Sequence, residues 1–144
     1  MNMIWKKHFD LEALNAFSKD TMVDTLGIEF TEIGDDYLTA RMPVDKRTVQ
    51  PMRLLHGGAS VTLAETLGSI ASQFSIADWE KNMVVGVEIN ANHLNSVRAG
   101  FVTGKVTPIK VGNRLHVWQI EIKNESGELI CVSRLTVAVI ARRE

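Results

Sequence analysis

The sequence predicts an α+β fold: one curled antiparallel sheet of five to six strands wrapped around one long central helix. Three observations carry this. The stretch 57–77 is apolar and small throughout and holds one ionisable side chain, Glu65. A hairpin-like segment precedes it and four strand-like segments follow it. The links between the last of these are too short for parallel crossovers, so the strands they join must be antiparallel neighbours. Strands grouped around a single apolar helix, without alternating βα units, make an α+β pattern.

Taken in order, residues 10–25 read as helical, with Asp10 as cap and Leu11, Leu14 and Phe17 at helical spacing. Residues 28–43 read as a hairpin. Ile28, Phe30 and Ile33 lead into a Gly34-Asp35-Asp36 turn, and alternation resumes from Tyr37 to Met42. Residues 43–53 form a polar loop with two prolines, and the long helix 57–77 follows. A charged break, 78–82, ends it. Strands are then predicted over 84–94, 101–111, 114–123 and 129–141. In the third, Leu115, Val117 and Gln119 alternate with His116, Trp118, Ile120 and Ile122, and His116 reads as a packing residue rather than a ligand. The turns 111–114 and 124–127 carry the Gly, Asn and Ser that tight links demand.

Composition narrows the function classes. The 144 residues suit one domain, 1–144, able to bury a core without metal or disulfide staples. Sixteen Lys+Arg against 17 Asp+Glu give a net charge of -1, so no basic stripe is available for nucleic acid. Cys131 is the one cysteine, which excludes an intrachain disulfide and a multi-thiolate zinc site and suits a core position in a reducing, cytoplasmic protein. Lys6 interrupts the N-terminal apolar run of a leader, and the 57–77 stretch is too polar for a membrane span, so no membrane partner is expected.

Glu65 is the costly residue. A carboxylate inside an apolar helix costs several kcal/mol unless it is paired or hydrogen-bonded. It either points to solvent or sits in a dry cleft with a raised pKa, ready to act as base or nucleophile. The apolarity around it favours the cleft. At the helix start, His56-Gly57-Gly58 is either a capped glycine turn or a set of open backbone amides suited to a developing oxyanion. Gly57 and Glu65 are eight residues apart, ~12 Å along a helix, so they cannot act on one carbonyl within a single chain. Two copies with antiparallel helices would bring Gly57 of one to Glu65 of the other and create two clefts about a two-fold axis.

The runs 50–60 (Gln50 through His56-Gly57-Gly58 to Ser60), Leu63-Ala64-Glu65 and 86–93 (Gly86 through Asn92-His93) resemble the hotdog-fold acyl-CoA thioesterases. The likeness falls within the bacterial branch related to the 1,4-dihydroxy-2-naphthoyl-CoA, phenylacetate and 4-hydroxybenzoyl-CoA thioesterases, and it covers nearly the whole chain. It implies a small-molecule acyl-CoA substrate, no cofactor beyond the coenzyme A of that substrate, and a homo-oligomer, usually a dimer of dimers with sites at the subunit interface. It implies Glu65 as nucleophile or base and the Gly57 amide as carbonyl polariser. Gln50 and His56 are then expected around the thioester or the attacking water. Ser69, one helical turn after Glu65, matches a polar family position.

The same resemblance places coenzyme A near Gly86, near His93, Leu94, Asn95 and Ser96, and near Lys110, Val111, Gly112, Asn113, Arg114 and Leu115. Lys110 and Arg114 around a Gly-Asn turn, with Arg98 after Ser96, are either solvated turn charges or a phosphate grip. Lys110 and Leu115 depart from the histidines of close relatives. Trp5 and Phe9 either cover the acyl end of the cleft or simply dock.

Other classes fit less well. Gly58-Ala59-Ser60-Val61-Thr62 lacks the second glycine of a serine-hydrolase nucleophile elbow. A hotdog dehydratase would show His-Phe-Pro-Gly where Leu55-His56-Gly57-Gly58 stands. A non-catalytic acyl-CoA binder would have no use for Glu65, His56 and Gln50 together. The acyl group is left open between aromatic, fatty and carrier-protein thioesters.

Overall fold

The computed structural model describes residues 2–144; Met1, the first residue of the leader reading, lies outside them. Asp10 caps α1 (Leu11–Phe17), its carboxylate accepting the Ala13 N–H at 2.8 Å. The helix predicted over 10–25 is not continuous. It breaks after Phe17 and resumes as α2 (Met22–Thr25), because the side chains of Ser18, Thr21 and Asp24 take up backbone groups locally. Ser18 Oγ donates to the Leu14 carbonyl, Thr21 Oγ1 donates to the Ser18 carbonyl, and Asp20 takes a left-handed φ of 59°.

The hairpin forms as predicted, β1 (Glu29–Ile33) against β2 (Leu38–Pro43). After α3 (Gly57–Phe74) come β3 (Asn82–His93), β4 (Phe101–Val111), β5 (Leu115–Asn124) and β6 (Leu129–Ala141). All six strands make one antiparallel sheet in the order β1-β2-β4-β5-β6-β3. Thus β3, though followed directly by β4, leaves it and closes the far edge against β6.

The sheet curls round α3. Its inner face supplies Leu38 and Met42, Val102 and Val106, Trp118, Ile120 and Ile122, and Leu135 and Val137, all buried. Each such aliphatic side chain contributes ~1.5–3 kcal/mol when fully buried. Helix and sheet approach closely where side chains are missing. A Cβ on Gly104 would stand 2.7 Å from Leu67 Cδ1, and one on Gly68 would stand 2.5 Å from Leu135 Cδ2.

Two expectations about α3 change. It ends at Phe74 rather than Ala77, since Ser75 donates its hydroxyl to the Ala71 carbonyl at 2.7 Å and closes the last turn. Nor is it enclosed on all sides within one chain. Ala59, Ser60, Leu63, Ala64, Leu67, Gly68, Ala71 and Ser72 face the sheet, while Val61, Thr62, Glu65, Thr66, Ser69, Ile70 and Gln73 are only half-buried. Trp5 and Phe9 dock at the far end of this helix. Trp5 Nε1 donates to the Gly34 carbonyl at 2.7 Å, and Phe9 stacks on Phe74. Cys131 is buried in the core. No helix among the described residues is long and apolar enough to cross a membrane.

Candidate active site

The loop before α3 is built to present the start of the helix. Thr48 Oγ1 donates to the Pro43 carbonyl, and Val49 bridges to Leu55. The turn between them closes through Gln50 N–H to the Leu54 carbonyl and Arg53 N–H to the Gln50 carbonyl, with Arg53 at φ 65°. Beside it Arg47 grips Asp45 and holds that carboxyl down to about 2.

The helix amides then divide unequally. His56 Nδ1 accepts the Gly58 N–H at 2.8 Å, and the His56 carbonyl accepts the Ala59 and Ser60 N–H groups. The Gly57 N–H has no partner among the described residues. It sits against β3, where a Cβ on Gly57 would stand 2.7 Å from His93 Nε2. Gln50, Gly57, Ser60, His93, Leu94, Asn95 and Ser96 surround one groove of ≈330 Å³, with Leu54, Leu55 and Ile130 as its apolar lining. The Asn95 side chain is anchored to the Leu129 carbonyl at 2.9 Å, and Gln50 Oε1 accepts the Met52 N–H. His56 is not part of this group. Its ring caps the helix and lines a separate groove with Arg47, Thr48 and Thr62. Arg98 is exposed just beyond Val97, whose carbonyl accepts the Leu55 N–H at 2.7 Å.

Glu65 lies two turns further on. It is half-buried, in a groove of ≈380 Å³ shared with Met22, Val23, Thr62, Thr66, Ser69 and Ile70. The enclosed cleft expected from the sequence is therefore open on one side in a single chain. Its carboxylate makes no hydrogen bond or ion pair with the described residues. Gly86 on β3 backs it, and a Cβ there would stand 2.9 Å from Glu65 Oε1. Next to this groove, and sharing Ile70 with it, is an almost wholly apolar hollow of ≈190 Å³ walled by Leu14, Phe17, Phe74 and Trp79.

The remaining predicted residues fall at this second end. His116 pairs with Val137, and Val137 pairs with Gly86, so the β4–β5 turn lies on the Gly86 side of the sheet. Lys110, Val111, Asn113, Arg114 and Leu115 are exposed there, and Gly112 is half-buried. The Gly112 N–H to Leu115 carbonyl bond (2.9 Å) closes the turn, and the Arg114 carbonyl accepts the Val139 N–H. Neither Lys110 nor Arg114 nor Arg98 is ion-paired among the described residues.

The predicted site thus splits in two. Gln50, Gly57 and His93 to Ser96 stand at the start of α3; Glu65, Ser69, Gly86 and the 110–115 turn stand from its middle onward. Sequence reading missed the partners of Glu65, namely Met22 and Val23 from α2, and Thr62 and Thr66. The second pair was visible as a polar stripe at helical spacing, Thr62, Thr66, Ser69 and Gln73. It also missed Ser60 beside Gly57. No cluster of described residues suits a metal ion.

Comparison with known proteins gives one answer. The pattern of the thioesterase superfamily matches residues 52–131. The chain is 55% identical to a 1,4-dihydroxy-2-naphthoyl-CoA hydrolase of Escherichia coli, over 96% of this chain and 100% of the relative. It is 52% identical to a proofreading thioesterase of Cronobacter turicensis, over 96% and 99%. A solved thioesterase structure from Haemophilus influenzae superposes with a TM-score of 0.94 at 51% identity, covering 99% of this chain and 98% of that one.

Proposed function

This chain belongs to the thioesterase superfamily, with its hotdog fold, and on that premise we propose that it hydrolyses an aromatic acyl-CoA thioester to the free acid and coenzyme A. The observation that carries the reading is the pair of unused groups on α3, the Gly57 N–H and the Glu65 carboxylate. One is a donor aimed at developing negative charge, the other an acceptor that can activate water or attack carbon.

They lie eight residues, ~12 Å, apart on one helix. A cleft holding both needs a second copy with its helix antiparallel, and the half-buried face of α3 is the surface left for it. In that cleft the Gly57 amide of one chain polarises the thioester carbonyl as charge builds on its oxygen. Glu65 of the other either takes a proton from the attacking water or attacks the carbonyl itself. The carbon–sulfur bond breaks, and the thiolate leaves and is protonated; where Glu65 attacked, water then hydrolyses the mixed anhydride, which releases the acid and restores the carboxylate. By either route the sum is thioester plus water giving acid plus thiol. Gln50, with its amide N–H donors, and Ser69 lie beside the two reacting groups. The 93–96 segment, Arg98 and the 110–115 turn hold the coenzyme A.

The apolar hollow beside Ile70, walled by Phe17, Phe74 and Trp79, favours a flat aromatic acyl group. A second reading, removal of misloaded acyl groups from a carrier protein, is favoured by the likeness to the proofreading thioesterase. A third, binding without hydrolysis, leaves the free carboxylate without a purpose.

The test is a panel of hydroxynaphthoyl-, aryl- and fatty acyl-CoAs and aryl-loaded carrier protein, compared by kcat/KM. The reading expects the aryl-CoA thioesters to lead. A carrier-bound substrate ahead by tenfold or more would put the second reading first, and no turnover of any would support the third.

A further inference from the structure

We propose that His116 is a positioning residue that ties the 110–115 turn to α3 and so sets how firmly the far end of coenzyme A is held. This rests on reading that turn as part of the coenzyme A site.

His116 is 1% exposed, on the inner face of β5, in a position where an aliphatic side chain would pack more cheaply. What it does there follows from proton counting. Trp118 Nε1–H donates to Ser72 Oγ at 2.6 Å, and an indole can only donate. The Ser72 oxygen is therefore an acceptor, and its one proton is free for His116 Nδ1, 3.0 Å away. The imidazole proton then sits on Nε2, and His116 itself pairs with Val111 across the base of the 110–115 turn. The result is a directed chain from Trp118 through Ser72 to His116, the residue that stands at the base of the turn. Burial pushes the imidazole below its ordinary pKa, with the Gly112 backbone opposing, which favours the neutral form this chain needs.

The chain joins two parts of the proposed machinery. Ser72 lies two helical turns after Glu65 on α3, and His116 pairs with Val111 at the base of the turn bearing Lys110 and Arg114. The turn is otherwise exposed, and its remaining ties are strand-end backbone bonds. Loosening the brace leaves the carboxylate and Gly57 alone but spreads the turn over more conformations, so the cost falls on binding of the nucleotide end.

The experiment uses the full chain, a benzoyl-CoA probe and the matching benzoyl-pantetheine thioester. His116→Gln is expected to raise KM for the CoA substrate about fivefold, to leave kcat within about twofold, and to leave the pantetheine KM nearly unchanged. Ser72→Ala should give the same split. Equal penalties on both substrates, or none on either, would overturn the proposal by reducing His116 to a packing residue. Lys110→Ala and Arg114→Ala separate the two levels. If they lose CoA affinity while His116→Gln does not, only the brace fails. If they lose none, the phosphate reading fails and the brace's role goes with it. Should both brace variants misfold, the native protein labelled with ¹⁵N in its imidazoles serves. Saturating free coenzyme A should move the His116 ring resonances and pantetheine should not. Unmoved resonances under coenzyme A overturn the proposal.

Discussion

The start and the middle of α3 offer opposite chemistry. At its start the helix exposes a backbone donor, the Gly57 N–H, beside Gln50 and the 93–96 segment. In its middle it exposes an acceptor, the unpaired Glu65 carboxylate, beside Ser69 and Gly86. Each end has its own groove, and β3 runs along both, with His93 against one and Gly86 against the other. Under the proposed function, a donor and a carboxylate that never meet in one chain are two half-sites. On the proposed reading, the difference teaches that the catalytic unit would be set by how copies pair, with one helix used twice, in opposite directions, supplying both halves.

The sharpest way to break this contrast is to remove the charge from one end. Glu65→Gln keeps the shape of the side chain and, because Glu65 is only half-buried and unpaired, should keep the fold. Turnover should fall by ~10²-fold or more. Steady-state kinetics on the purified variant decide it, and near-native kcat would remove Glu65 from the mechanism.

The next test asks whether the halves come from different chains. Glu65→Gln and Gln50→Ala subunits, each nearly inactive alone, should recover activity when refolded together. Random pairing makes half of the dimers mixed, and each of those has one cleft of two intact, so recovery should reach roughly a quarter of native activity. Subunit exchange is followed by mass-tagging one variant. Proven exchange with no recovery would mean that each cleft is complete within one chain.

Much of the framework behind these tests was legible in the sequence, and the gaps have physical causes. The bounds of β4 and β6 coincide with prediction because turn residues bracket each run, and β6 is rich in Val, Ile and Leu. The start of α3 was legible in His56-Gly57-Gly58. The break at 18–21 was not, because side-chain bonds from Ser18 and Thr21 override a helical pattern that continues past them. The pairing of β3 with β6 was out of reach, since periodicity records which face is buried and not which strand lies alongside. For the site, residue types and spacing singled out Glu65 and Gly57. Their separation into two grooves, the capping of Gly58 by His56, and the backing of Glu65 by Gly86 depend on strand register that no local pattern encodes.

Gly86 gives the third test, of intermediate size. A Cβ there would stand 2.9 Å from Glu65 Oε1, and the carboxylate is the mobile partner, so Gly86→Ala should push it aside rather than unfold the strand. A displacement of about 1 Å in a reacting group costs on the order of 10–100-fold. The expected result is a fall in kcat of about tenfold, with an unfolding midpoint within a few degrees of native. Unchanged kcat would mean that the acid end tolerates movement and that its geometry matters less than that of the Gly57 end.

The smallest effect concerns the charges flanking the acid end. Lys110 and Arg114 are exposed and make no ion pair among the described residues, so the phosphate contacts proposed for them would be screened and modest. Such a contact would form as well in the ground state as in the transition state, because the phosphates of coenzyme A lie far from the thioester carbon. Arg114→Ala should therefore raise KM by roughly fivefold with little change in kcat. Added salt should shrink the penalty, and a pantetheine thioester should feel much less of it. Arg98 makes the matching comparison, since it stands at the Gly57 end of the same chain. If the nucleotide spans the junction of two copies, Arg98→Ala and Arg114→Ala should show the same dependence on the phosphates. A phosphate-dependent loss from one and none from the other would place the nucleotide against a single end of α3, and would sharpen the division between the half-sites into one that binds the handle and one that does not.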